Sequence, residues 1–215
     1  MSAIQRWLLS LGVTAVAVAI VFAWIDRPLS FWAHGQFPQH ETFTQFTYIP
    51  EVLEPLAIVV FVGLGLWSLS GRVLSKIQTA VLLGSVSLVM ADATKNLLKY
   101  VFGRTWPETW VRNNPSLIHD GVYGFNFFHG GAGYASFPSG HTAVTCGAMS
   151  VLWIYYPQWR ALYALVVAAV VAGLIGANYH FLSDIIAGGF VGCSSGWMAT
   201  ALWRTRQSLP QPKRR

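Results

Sequence analysis

Long apolar runs separated by short polar punctuation set the rhythm of this chain. Six stand out, near Trp7 to Ile25, Leu53 to Leu69, Ile77 to Leu98, Thr142 to Tyr156, Ala161 to Ala177 and Ile185 to Trp203. Several approach the ~20 residues that a helix needs to cross the hydrocarbon of a bilayer. The fourth reaches that length only if it begins at Pro138, so the predicted spans are 7–25, 53–69, 77–98, 138–156, 161–177 and 182–203. In hydrocarbon every backbone N–H must find its partner inside the protein, which a helix achieves within one segment. The pattern therefore predicts an all-α fold, a six-transmembrane-helix bundle forming one domain over residues 1–215. The first run lacks a small-residue cleavage site and continues into Asp26-Arg27-Pro28, so it reads as an anchor rather than a signal peptide.

Between the runs, Gly71 to Lys76 and Pro157 to Arg160 are tight connections, and Arg27 to Glu51 is rich in aromatics that suit a membrane interface. The connection from Gly103 to Phe137 is far longer than usual, and such loops are functional or disordered. Its aromatics, including Trp106, Trp110, Tyr123, Phe125 and Tyr134, favour an ordered outer loop between helices 3 and 4. The run His129 to Gly133 is a candidate hinge for a lid. The small residues Gly173, Gly176, Gly188, Gly189, Gly192 and Gly196 are read as points of close helix approach.

Composition agrees, with 54% hydrophobic residues and 10% charged. Basic residues are retained on the cytoplasmic side of short loops. With the N-terminus inside, nine of the fourteen basic residues fall there: Arg6, Arg72, Lys76, Arg160, Arg204, Arg206, Lys213, Arg214 and Arg215. Lys95, Lys99, Arg104 and Arg112 instead gather on the outer side, beside residues suited to phosphate chemistry. The net charge of +6 thus reads as topology plus an anion site. It does not read as nucleic-acid binding, because no single soluble face collects the charge. Cys146 and Cys193 fall within spans and are expected as small buried thiols.

The chemistry concentrates in Pro138-Ser139-Gly140-His141, followed 39 residues after its histidine by His180 and then Asp184. Under the six-span topology Lys99, Ser139–His141 and His180–Asp184 all reach the outer face. Four residues apart on a helix, His180 and Asp184 would share one side, and the carboxylate would fix the imidazole tautomer. One imidazole to attack phosphorus, another to protonate the leaving oxygen, and N–H groups to hold the spreading charge together suit phosphoryl transfer. Ser139 is equally the residue type that caps a helix. Asp92 is expected to pair with Lys95 or Lys99, and His119 and His129 to be surface residues. Trp106 and Trp110 are expected to stack in the loop or meet lipid, with a substrate wall as the alternative.

These residues resemble the type-2 phosphatidic acid phosphatase superfamily of membrane lipid phosphatases, whose soluble relatives include vanadium haloperoxidases. The family pattern is Lys, six residues and Arg-Pro; then Pro-Ser-Gly-His; then Ser-Arg, five residues, His, three residues and Asp. Lys99, Pro138 to His141, His180 and Asp184 match it, whereas Trp106 and Leu174 stand where arginines are expected and Gly173 where serine is. The resemblance implies His180 as nucleophile, Asp184 as its orienting group and His141 as general acid and then base. Ser139, Gly140 and Lys99 would hold the phosphoryl oxygens without a metal or other cofactor, and Arg104 is the preferred substitute for the missing arginines. It further implies a lipid phosphate or pyrophosphate substrate, with undecaprenyl pyrophosphate, phosphatidylglycerol phosphate and phosphatidic acid as candidates. The expected place is a bacterial-type inner membrane, with cytoplasmic termini and a periplasmic site. A non-hydrolytic phospholipid-phosphate binder or transporter, and a lipid phosphotransferase, are the alternatives.

Overall fold

The structure is a computed structural model that describes residues 1–37, 41–110 and 113–208. Arg112 and the basic tail Lys213 to Arg215 lie outside the described residues. The chain runs through α1 (Ala3–Trp24), α2 (Asp26–Gln36), α3 (Glu41–Leu69), α4 (Lys76–Phe102), α5 (Leu117–Asp120), α6 (Gly140–Tyr155), α7 (Arg160–Gly176) and α8 (Leu182–Ser208). Among the described residues there is no strand, only isolated bridges such as Arg104 with Phe125 within the long connection. Five of these helices, α1, α3, α4, α7 and α8, are long and apolar enough to cross a membrane. The chain is a multi-pass membrane protein, and its outward apolar residues, such as Leu8 and Val16 on α1 or Val59 and Leu66 on α3, form a surface that suits lipid.

The fourth predicted span differs most from expectation. It begins at Gly140 rather than Pro138 and has 16 residues, which at 1.5 Å per residue gives about 24 Å, short of the ~30 Å hydrocarbon core. Its surroundings compensate for its length: α6 is packed among α3, α4, α7 and α8. Val144 and Ala148 meet Ala57 of α3 and Leu88 of α4, while Ala143 meets Ala91 of α4 and Val191 of α8. The second predicted span is also longer than read, since α3 starts at Glu41 and passes through Pro50 and Pro55. In a membrane bundle neighbouring helices tolerate such prolines.

Glycines set the closest approach. Gly188, Gly192 and Gly196 recur every fourth residue on α8; a Cβ at Gly192 would lie 2.2 Å from the Ala143 carbonyl oxygen, and one at Gly188 2.4 Å from that of Ser139. Only hydrogen fits there, so α8 rests its backbone on α6. At the end of α4, Gly103 adopts φ +53, and a Cβ would lie 1.9 Å from the Asn126 oxygen. The helix therefore stops there and the chain enters the long connection.

Candidate active site

Two turns and one helix end converge on a cavity of about 180 Å³ lined by Glu51 and Glu54 of α3, Lys95 and Lys99 of α4, Trp106, Gly140, His141, Tyr179 and His180. The α7 to α8 turn supplies the last two. Asn178 takes a left-handed conformation, φ 51, which asparagine tolerates better than most residues. Its side-chain amide donates to the Ser30 carbonyl at 3.2 Å and to Glu108 at 3.0 Å. That anchored turn holds His180 just before α8.

His180 is therefore not on the helix, as the spacing had suggested, and its pairing with Asp184 has another origin. Asp184 lies in the first turn of α8, and its Oδ2 folds back to accept from the Phe181 N–H at 3.1 Å. A helix leaves its first N–H groups without internal partners, and an acidic side chain in the first turn is a natural acceptor for one of them. The same oxygen lies 3.5 Å from His180 Nδ1 and accepts from Ser136 Oγ at 2.7 Å. Nδ1 is thus committed to Asp184 and Ser136, which leaves Nε2 as the nitrogen available for chemistry. Burial pushes the imidazole below its ordinary pKa, against the raising effect of Asp184. A neutral imidazole is the form that can attack.

Arg104 occupies a place other than the expected one. Its guanidinium is wholly buried and is not on the cavity wall. Nη1 donates to Asp184 Oδ1 and to Ser183 Oγ, the latter at 2.6 Å, and Nη2 donates to Asp26 at 2.8 Å and Tyr123 at 3.2 Å. The rings of Phe22, Tyr123, Phe125 and Phe181 surround it at 4.2 to 5.4 Å. Burial alone would push the guanidinium down, but Asp184 and Asp26 outweigh it and hold the pKa above its ordinary value. In this structure Arg104 supports Asp184 from behind instead of facing a phosphate. The physical reason is the demand of two buried carboxylates, Asp26 and Asp184, each of which needs a cation.

The cation on the wall beside Lys99 is Lys95. Its ammonium reaches Asp92 at 2.8 Å, the pairing read from the sequence, and Glu54 at 3.5 Å. It packs against Gly140, where a Cβ would come within 3.2 Å of Nζ. Gly140 opens the first turn of α6, where a helix offers uncommitted N–H groups to an anion. Ser139 serves as the N-cap of α6, accepting from the Thr142 N–H at 3.4 Å and the Thr142 hydroxyl at 3.2 Å. It is buried and off the cavity wall.

The two histidine rings meet edge-on with centroids 5.8 Å apart, and His141 Nε2 lies 4.0 Å from Glu51 Oε1. Trp106 lines the cavity: its ring lies 5.2 Å from that of His180, and its indole N–H donates to the Ala132 carbonyl at 2.8 Å. Trp110 lies against Tyr179 with ring centroids 5.2 Å apart and the planes tilted by 34°. Leu174 is buried against Val170 and Ile185 and offers no charge. His119 and His129 lie away from the cavity, and Cys146 and Cys193 are free, Cys146 buried and Cys193 exposed rather than buried as read.

Sequence reasoning missed Asp26, Ser136, Ser183 and Tyr123 as the support of the histidine pair, and Glu51, Glu54 and Tyr179 on the wall. Asp26 did carry a signal, because an acid at the end of an apolar run is costly unless paired. The hydroxyls carried none.

Known proteins resemble this chain in sequence and in fold. Lipid A 1-phosphatase of Rhizobium etli is 27% identical over 204 residues, covering 90% of this chain and 82% of that protein. Lipid A 1-phosphatase of Rhizobium johnstonii is 27% identical over 193 residues, covering 85% and 75%. The crystal structure of a transmembrane PAP2-type phosphatidylglycerolphosphate phosphatase from Bacillus subtilis shares the fold, with a TM-score of 0.54 and 17% identity over 96% of this chain and 98% of that one. The profile of the PAP2 superfamily matches residues 80–208, a stretch that contains Lys95, Lys99, the turn before α6 and the histidine-aspartate pair. With more than half its length matched and the motif groups gathered at one cavity, the chain belongs to the PAP2 superfamily.

Proposed function

We propose that this membrane phosphatase of the PAP2 superfamily hydrolyses a lipid phosphate through a phosphohistidine at His180. The observation that carries the reading is the His180–Asp184 pair, with Nδ1 held at 3.5 Å from the carboxylate and Nε2 left for attack at the cavity. In the first step Nε2 forms a bond to phosphorus as the bond to the leaving oxygen breaks, and His141 gives that oxygen a proton. In the second, His141 takes a proton from water, whose oxygen displaces the histidine and releases inorganic phosphate. Lys99, Lys95 and the first N–H groups of α6 balance the charge that spreads over the phosphoryl oxygens. Asp184 keeps the tautomer and is itself kept in place by Arg104, Ser136 and the Phe181 N–H.

The site belongs on the outer face of a bacterial-type cytoplasmic membrane, with both termini inside. This placement is supported by the excess of Lys and Arg at the opposite ends of the helices. The relatives named as lipid A 1-phosphatase and phosphatidylglycerolphosphate phosphatase make monophosphate esters of membrane lipids the leading substrate class. The pairing of Lys95 with Asp92 and Glu54 weakens the clamp on phosphate, and that observation favours a second reading, binding without turnover.

Purified protein should release inorganic phosphate from such a lipid in the presence of EDTA. His180→Ala should abolish release, and quenching the wild type in alkaline detergent should trap a phosphoenzyme that survives base and is lost on acidification. Activity that survives His180→Ala would overturn the nucleophile. Binding of lipid phosphate without turnover would favour the second reading, and phosphate recovered on another lipid would identify a transferase.

A further inference from the structure

The wall of the cavity is not uniformly basic. Facing Lys95 and Lys99 are two carboxylates one turn apart on α3, Glu51 and Glu54. Glu54 is engaged with Lys95 at 3.5 Å, whereas Glu51 lies 4.0 Å from His141 Nε2 with its side chain 57% exposed. His141 is the group that protonates the leaving oxygen, so Glu51 stands where the alcohol leaves. A carboxylate in that place is a poor neighbour for further negative charge and a strong acceptor for hydroxyl or amide hydrogens.

Resting on the phosphatase reading above, we propose that Glu51 selects the leaving group: the preferred substrate is a monophosphate ester whose alcohol carries a neighbouring hydroxyl or amide donor. Two kinds of lipid meet that description, a glycolipid phosphorylated on its sugar and a phosphatidylglycerol phosphate, whose glycerol keeps a free hydroxyl beside the ester. Phosphatidic acid lacks the donor, because its neighbouring oxygens are acylated. A polyprenyl diphosphate brings a second phosphate, and hence further anionic charge, against Glu51 and Glu54. Both are disfavoured by the same side chain for different reasons.

The test compares kcat/KM on four probes in one detergent: a sugar 1-phosphate glycolipid, phosphatidylglycerol phosphate, phosphatidic acid and a polyprenyl diphosphate. The wild type should favour the first two. Glu51→Ala should narrow their advantage over phosphatidic acid on the order of tenfold, the scale of one hydrogen bond to a charged group. Glu51→Gln, which keeps the shape and removes the charge, should raise the relative rate on the diphosphate by a similar factor. A uniform fall on every probe would make Glu51 a partner of His141 alone and overturn the proposal, as would a wild type that treats all four alike. Turnover of none of the four by folded protein would overturn the phosphatase reading and this inference with it, an outcome distinct from turnover without selection.

Discussion

Replacing Arg104 by methionine removes the cation that two buried carboxylates share while keeping an unbranched side chain of similar reach. Asp26 and Asp184 are both wholly buried, as is Arg104. Each would keep some hydrogen bonds: Asp26 those from the Ser183 N–H at 3.0 Å and Tyr123 at 3.2 Å, Asp184 those from Ser136 and Phe181. Neither would keep its opposite charge. Removing one partner of a buried ion pair costs about 3–5 kcal/mol, a large part of a total stability of about 5–15 kcal/mol. At about 2–4 °C per kcal/mol for a chain of this size, the apparent Tm in detergent should fall by roughly 10 °C. The surviving folded protein should lose about 10²-fold in kcat, because a poorly held Asp184 misplaces His180. KM should change far less, since the guanidinium is off the cavity wall. Arg104→Lys should be intermediate, keeping the charge and losing the two-pronged geometry. Adding Asp26→Asn to Arg104→Met should recover part of the stability and little of the activity. A variant that keeps its Tm and kcat but loses affinity for phosphate would refute the reasoning and return Arg104 to the substrate.

Two further expectations follow from the same geometry. Gly188→Ala would drive a Cβ to 2.4 Å from the Ser139 carbonyl oxygen, so α6 and α8 must part; we expect a fall of about 1–3 kcal/mol in stability and a disproportionate fall in kcat, read by thermal unfolding and phosphate release. Because burial holds His180 below its ordinary pKa of 6.5, the folded protein resists protonation there while the unfolded chain accepts it, so stability should decline as pH falls below about 6.5. After correction for the substrate's own ionisation, kcat/KM should persist through pH 6.5 and decline only in more acid solution; an acid limb centred above 6.5 would contradict the neutral nucleophile.

The sequence revealed the spans that face lipid, because a run such as Leu53 to Leu69 must be apolar wherever its neighbours lie. It revealed α6 less well, since a helix wrapped by others can be short and still be satisfied, and hydropathy counts length alone. At the site, Lys99, Gly140, His141 and His180 were legible as neighbours, because their residue types and spacing pointed to one place and they line one cavity. Arg104 was legible as an important cation and misread as to what it touches. Proximity of Arg104 to Trp106 in sequence said nothing about Asp26, which is 78 residues away and reaches the guanidinium only through the packing of α1 and α2. Ser136 and Ser183 were hidden for a simpler reason, as a hydroxyl has no position-specific signature until its partner is known.

The clasp between Asp26 and Ser183 also bears on the timing of synthesis. Ser183 donates its N–H to Asp26 across 157 residues, at the start of the final helix. During translation the acid emerges early and waits, without its arginine or its helix N-terminus, until nearly the whole polypeptide has been inserted. His180 therefore reaches its place beside a braced Asp184 only when α8 joins α2. On the proposed mechanism, a chain cut off before α8 would hold both histidines without that brace and should not hydrolyse lipid phosphate.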